Sequence, residues 1–450
     1  MTSSRARKST TEAYDDISQD NEIELSSLND HGFEEEDAPL VEAKEQYHHQ
    51  QDDGHGSIGL PGTASCSQVA MNIVISFVGA GVLGIPDAFR QSGWLLGSIT
   101  LIGVSILNVY AMLLLPQVKY TLKTPRSYGE VGKAVLGTSG ENFVNLCLGI
   151  SQAGFATAYL IFISANAYSI AEIPRAVTCF LCIPGLALLV QFQEMKHLSP
   201  FSMMANIANA AAFVAVLIQD WESYAEYNPL EHTEAVKAVK WNGFLYVIAI
   251  TIYSMEGVGL ILSLEASGKD RAGFPWLLRG MLTMITLFMA VFGSAGYLAF
   301  GDATRAPVTL NLGAEHFYAA TFVKGSLCLG LYFTYPVMMF PIWQISETLS
   351  PSLAESKLQR IAFRSCLVVL SATVAYGVPD FGEFLSLVGS SICTILGFIL
   401  PCYFHWAVLG SESPLWQIGL NWFLIVGASI FGMMGTYNSF VALLEGEGEG

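Results

Sequence analysis

The chain has 450 residues, of which 52% are hydrophobic and only 13% charged, with a formal net charge of -17. Soluble domains carry about 25% charged residues, whereas here apolar windows of about 20 residues recur, the signature of a polytopic helical membrane protein. The acidic excess lies mostly in the N-terminal tail, and no basic patch suits a nucleic-acid partner.

Residues 1–65 are polar, acidic and poor in aromatics, which predicts a disordered cytoplasmic tail. Glu34, Glu35, Glu36 and Asp37 precede Leu40-Val41, a pattern like an acidic dileucine sorting signal that sorting machinery would read, or simply a solvated acidic stretch. The first apolar run begins only near Val69, so no cleavable signal peptide is expected. Eleven apolar stretches follow, at roughly 68–90, 94–118, 142–172, 174–192, 200–219, 242–265, 275–300, 317–348, 359–378, 382–408 and 415–443. Residues 66–443 thus read as one transmembrane domain, in contact with membrane lipids. Between the second and third stretches, Ser127-Tyr128-Gly129-Glu130-Val131-Gly132 predicts a short interfacial helix.

With the N-terminus in the cytoplasm, eleven Lys or Arg residues fall in the cytoplasmic connections and six on the other side. That bias favours this orientation. Seven of the eight cysteines lie in or beside apolar stretches, and Cys66 stands just ahead of the first. Cys179 and Cys182 form a CxxC within an apolar run and read as small apolar filler.

The first stretch is interrupted by Gly79-Ala80-Gly81-Val82-Leu83-Gly84 and then Pro86. Glycine weakens a helix interior by about 1 kcal/mol, and proline removes a donor. Lipid offers no replacement hydrogen bonds, so broken backbone at this depth must line a protein cavity. The sixth stretch repeats the feature at Glu256-Gly257-Val258-Gly259. Two sets of five spans, each opening on a broken helix, make an inverted repeat, about 68–219 and 242–408, with an extra helix at 415–443. Glycines also serve close helix packing, and one pair alone would not decide the matter.

The expected site lies where the breaks meet. Freed N–H groups of Gly79, Ala80, Gly81 and Val82 suit a carboxylate at a helix start. Carbonyls near Tyr253, Ser254 and Gly257 suit an ammonium, which makes an amino acid the expected ligand. Glu256 is the carboxylate placed mid-span; it is a candidate proton carrier, or else a group that only stabilises the break. Tyr253 either shapes the pocket or packs. Gln152 and Tyr159 on the third span, and Tyr332, Thr334 and Tyr335 on the eighth, are further candidate contacts, or ordinary helix–helix hydrogen bonds. No cofactor or metal-ligand set is expected.

These residues resemble the amino acid/auxin permease superfamily, and more closely its vacuolar amino acid transporters and proton-coupled amino acid transporters. The carrying motifs are GAGVLGIPDAFRQSGW (79–94), SYGEVG (127–132), KHLSPFS (196–202), YSMEGVGLILSLE (253–265), FTYPVMMFP (333–341) and FLSLVGSSICTILGFILPCYFHW (384–406). The resemblance implies an all-α, leucine-transporter-like fold of about eleven helices, and neutral amino acids moved with protons from vacuole to cytosol. Sodium-coupled relatives carry an asparagine one turn before the first break. Here that position is Ile75, with Asn72 a turn further back, which weakens a hard-cation site. A plasma-membrane importer and an amino-acid sensor of the same fold remain alternatives. An enzyme is not expected: there is no HExxH, Asp87 and Asp380 sit near span ends, and no phosphate-binding loop occurs.

Overall fold

The computed structural model describes residues 62–122, 127–191, 195–226, 236–312, 317–350, 353, 355–378 and 380–446. Residues 1–61 of the predicted tail, with the acidic Leu-Val motif, lie outside the described residues, whereas 62–65 are described and lead into the first helix. Every predicted apolar stretch is occupied by helix. The first holds α1 (Cys66–Phe77), a 3-10 turn (Ala80–Gly84) and α2 (Ile85–Ser92). The next four are α3 (Trp94–Leu122), α4 (Tyr128–Ala171), α5 (Arg175–Leu189) and α6 (Met195–Glu226). The sixth holds α7 (Phe244–Ser254) and α8 (Val258–Ser267). Then come α9 (Phe274–Phe300), α10 (Phe317–Leu349), α11 (Lys357–Gly377), α12 (Phe381–Val388), α13 (Leu400–Leu409) and α14 (Leu415–Gly446). No strand occurs among the described residues, only one bridge between Ala64 and Gly268.

Eight of these helical units are long and apolar enough to cross a membrane, or nine if the first bent pair is one span. The expected number of eleven is therefore not reached by that measure. α5 has only 15 residues, short of a hydrocarbon core of about 30 Å at about 1.5 Å per residue. In α6 the apolar run is diluted by Asn206, Asn209, Gln219 and Asp220.

Local chemistry sets the boundaries. Ser65 and Gln68 form a reciprocal capping box that starts α1. Pro86 sits in the first turn of α2, where its missing N–H costs nothing. Ser127 caps α4 by accepting from the Glu130 N–H. The expected interfacial helix is the first part of α4, set off from the long span by Gly137 at φ 72°. That left-handed backbone is open to glycine and strained for residues with a Cβ.

The tenth stretch departs from regular α-helix. Between α12 and α13 the backbone runs as π-helix at Gly389–Cys393 and Ile395–Ile399. Thr394 Oγ1 donates to the Gly389 carbonyl at 2.8 Å. Wide turns of this kind are rare and concentrate at functional sites. α14 lies along this span and is pinned at both ends, by Ser386 with Ser439 at 2.7 Å and by Asn421 with His405 at 3.0 Å.

Candidate functional site

The first helix stops at Phe77 because Gly79 adopts an extended conformation, and the two halves diverge by 45°. The Val82 N–H donates to the Gly79 carbonyl at 3.3 Å, closing the 3-10 turn. Among the described residues, no partner accepts from the N–H groups of Gly79, Ala80 or Gly81. Ala80 to Ile85 are all buried. Three successive unpaired donors at a helix start are the arrangement that suits an anion.

α7 ends at Ser254, and Met255, Glu256 and Gly257 lie between it and α8. The Glu256 N–H donates to the Tyr253 carbonyl at 3.3 Å. Asn108 of α3 donates to the Met255 carbonyl at 3.3 Å and ties the break to its neighbour. The two breaks touch. A Cβ on Gly81 would stand 2.7 Å from Ser254 Oγ, 2.9 Å from Ser254 Cα and 3.0 Å from Tyr253 Cδ1. A Cβ on Gly257 would meet the Phe77 ring at 2.5 Å. Glycine at 81 lets the two backbones approach, and glycine at 257 makes room for the Phe77 ring.

Side chains from α4 and the π-helical span close the region. Tyr159 Oη faces Gly79, 3.9 Å from the place a Cβ would occupy. Phe155 packs edge-on against Tyr253 with centroids 4.9 Å apart. The hydroxyl of Tyr253, one oxygen of Glu256 and Oδ1 of Asn108 are buried with no partner among the described residues. Glu256 reaches the π-helical span: its Oε2 lies 3.5 Å from a Cβ built on Gly397. Tyr128 donates to the Leu396 carbonyl at 2.9 Å on that same span. Sequence reasoning missed this wall. Its signal was there, as Gly389 and Gly397 bracketing Ser390, Ser391 and Thr394.

The structure brings together Gly79, Ala80, Gly81, Val82, Tyr159, Tyr253, Ser254, Glu256 and Gly257. It does not bring in the eighth-span candidates. Thr334 Oγ1 donates to its own helix at the Gly330 carbonyl, 2.8 Å away. Tyr332 points its hydroxyl at Gly185 of α5, and α10 packs mainly on α4 and α6. Tyr335 is buried, whereas Tyr332 and Thr334 are half-buried, as is Gln152 on α4. Ile75 and Asn72 are both exposed, and isoleucine has no side-chain oxygen to offer at the break.

Polar clusters sit at either end of the broken helices. At one end Asp87 accepts from Tyr246 (2.8 Å) and Arg90 (2.7 Å), and Lys240 pairs with Asp302 at 2.5 Å while donating to the Arg90 carbonyl. Asp380, just ahead of α12, is held above the usual carboxylate range by burial, with Asp87 adding to the effect. At the other end Glu265, 1% exposed, binds Lys119 at 2.5 Å and the Tyr120 hydroxyl. There Ala64 exchanges backbone bonds with Ser267 and Lys269 at 3.0 Å each, strapping the start of α1 to the end of α8.

Residues 62–444 match the family described as transmembrane amino acid transporter protein. The chain is 33% identical to amino acid transporter AVT3B of Arabidopsis thaliana over 392 residues, covering 83% of this chain and 92% of that one. It is 25% identical to vacuolar amino acid transporter 3 of Schizosaccharomyces pombe, covering 83% of this chain and 58% of the other. Among solved structures, a Na+-coupled sialic acid symporter aligns with a TM-score of 0.49 at 12% identity, covering 88% of this chain and 91% of that one.

Proposed function

Because this chain belongs to the transmembrane amino acid transporter family, and is a multi-pass membrane protein, we propose that it moves neutral amino acids together with protons. Its expected setting is an endomembrane, with flow from a vacuole-like lumen to the cytosol. The vacuolar name of the S. pombe relative supports that setting.

The apposition of the two breaks carries the reading. A substrate carboxylate takes the N–H groups of Gly79, Ala80 and Gly81, with the dipole of the helical turns behind them. Val82 contributes to the turn rather than to the ligand, since its N–H is already used. The ammonium faces the carbonyl side of the second break at Tyr253 and Ser254. Tyr159 and Tyr253 each offer a hydroxyl to the same zwitterion. Hydrogen bonds to a charged partner contribute about 1.5–3 kcal/mol each, so a few suffice for micromolar-to-millimolar binding.

Glu256 is the proton carrier in this proposal. Its unpartnered oxygen lies beside the π-helical span, within the same break that offers carbonyls to the substrate. Protonation and binding then act on one short segment, Tyr253 to Gly257, which is a physical route for coupling. Exposure of Ile75 and Asn72 supports protons over sodium.

The test is uptake by purified protein in liposomes, with an imposed pH gradient and a panel of amino acids, with and without sodium. Accumulation that follows the pH gradient without sodium supports the proposal. A strict sodium requirement overturns the proton assignment, and failure with every amino acid overturns the substrate class.

A further inference from the structure

His405 is buried at 2% exposure, near the end of α13, and nothing in the mechanism above uses it. Its ring lies between two primary amides on α14. Asn421 Nδ2 is 3.0 Å from Nδ1, and Gln417 Nε2 is 3.3 Å from Nε2. The Tyr110 hydroxyl of α3 donates to Asn421 Oδ1 at 2.7 Å. Three helices thus converge on one imidazole.

The hydrogen-bond arithmetic of this cluster permits two charge states. While Tyr110 donates to Asn421, the Asn421 amine faces Nδ1, which must be a bare acceptor. The ring proton then sits on Nε2 and Gln417 turns its carbonyl oxygen to meet it. If a second proton arrives on Nδ1, Asn421 turns over and offers Oδ1, while its amine donates to the Tyr110 oxygen. Both ring nitrogens are then donors to amide oxygens, and the Tyr110 hydroxyl gives up its acceptor on Asn421.

No charged side chain faces the ring among the described residues. α13 packs on α3, α4, α14 and the π-helical segment before it. The titratable groups from these are Tyr110 of α3, Tyr128 of α4 (edge-on to Phe404) and Cys402 and Tyr403 of α13 itself. α14 offers only the two amides. The ion pair on α3 is already engaged, Lys119 with Glu265.

We infer that His405 is a second proton-binding site, at the end of the bundle where the charge bias places the cytoplasm, with Asn421 and Gln417 serving either charge state. Its use in transport rests on the proton-coupled reading above: Glu256 takes the proton at mid-depth, and His405 holds one near the receiving face. Imidazole is the side chain that ordinarily changes charge nearest neutral pH, which is the property such a handover requires.

The experiment is ring-carbon NMR of histidine-labelled full-length protein in lipid bilayers between pH 5 and 8. The His405 signal, among eight histidines, is the one lost in H405Q. The expected result is a neutral ring protonated on Nε2 at the high end, passing to imidazolium within the range. In Y110F, where nothing fixes the Asn421 amide, the neutral ring shows both tautomers and still titrates. A His405 signal that stays neutral throughout overturns the site, as does a Y110F spectrum identical to wild type. Substrate flux supplies the second arm: H405Q flattens its dependence on pH at the N-terminal face. Unchanged pH dependence in H405Q overturns the handover role. If no variant, wild type included, transports at all, the transport reading fails while the NMR titration still decides the site.

Discussion

Replacing Gly81 with alanine adds one methyl where the two breaks meet. The new carbon would lie 2.7 Å from Ser254 Oγ, 2.9 Å from Ser254 Cα and 3.0 Å from Tyr253 Cδ1. Of these, the Ser254 hydroxyl can rotate away, but the Cα is backbone, and the breaks must part by roughly half an ångström to reach ordinary contact. Overpacking of this kind costs about 1–3 kcal/mol. Spent on separating the breaks, that lowers the population of the binding arrangement by about 5- to 150-fold. The fold survives, since domains are stable by about 5–15 kcal/mol. The assay is the concentration dependence of amino acid uptake in liposomes containing equal amounts of folded protein. G81A is expected to raise the apparent KM at least fivefold, and G81V to abolish uptake with protein still in the membrane. Gly79 provides the contrast. A Cβ there meets nothing closer than Tyr159 Oη at 3.9 Å, so G79A changes KM far less. Equal effects of G79A and G81A, or normal uptake by G81V, would refute the placement.

Three other substitutions probe separate parts of the arrangement. E256Q keeps the shape of the break but cannot carry a proton; substrate exchange persists while accumulation driven by a pH gradient is lost, measured as counterflow against gradient-driven uptake. Y159F removes one hydroxyl beside Gly79 and raises KM about 10-fold or more, the equivalent of one hydrogen bond to a charged ligand, with thermal stability unchanged. E265A strands Lys119, whose side chain is 11% exposed, and breaking such a buried pair costs about 3–5 kcal/mol. The melting temperature falls several degrees, whereas joint replacement K119M/E265M recovers most of it.

Much of this arrangement was legible in the sequence because lipid narrows the choices. Backbone cannot stay unbonded in hydrocarbon, so Gly79-Ala80-Gly81 and Glu256-Gly257 had to be breaks within protein, and the helices part at those residues. The inner wall was harder. Leu385 to Pro401 reads as an ordinary apolar span, and nothing in apolar periodicity separates π-helix from α-helix. The eighth-span candidates were chosen for polarity alone. Polarity cannot say whether Thr334 faces a ligand or its own helix, and its hydroxyl is bonded to Gly330. The free N–H count also needed coordinates, since a 3-10 turn consumes the Val82 donor that a plain break would leave open.

The unsatisfied atoms near the breaks bear on why this site persists. Glu256 Oε2, Tyr253 Oη and Asn108 Oδ1 are buried without partners among the described residues. An unmet buried polar group costs about 1–3 kcal/mol, so three together take a substantial share of a stability of about 5–15 kcal/mol. Phenylalanine at Tyr253 would relieve one of these and keep the packing, whereas leucine at Asn108 would forfeit its bond to the Met255 carbonyl. A chain shaped for stability alone would carry phenylalanine at 253. If the groups are kept for a ligand, Y253F should raise the melting temperature of the empty protein and shrink the stabilisation gained on adding a transported amino acid. A rise in the first without a loss in the second would mean that the Tyr253 hydroxyl never meets substrate, and the ammonium side of the site would have to be sought elsewhere along the second break.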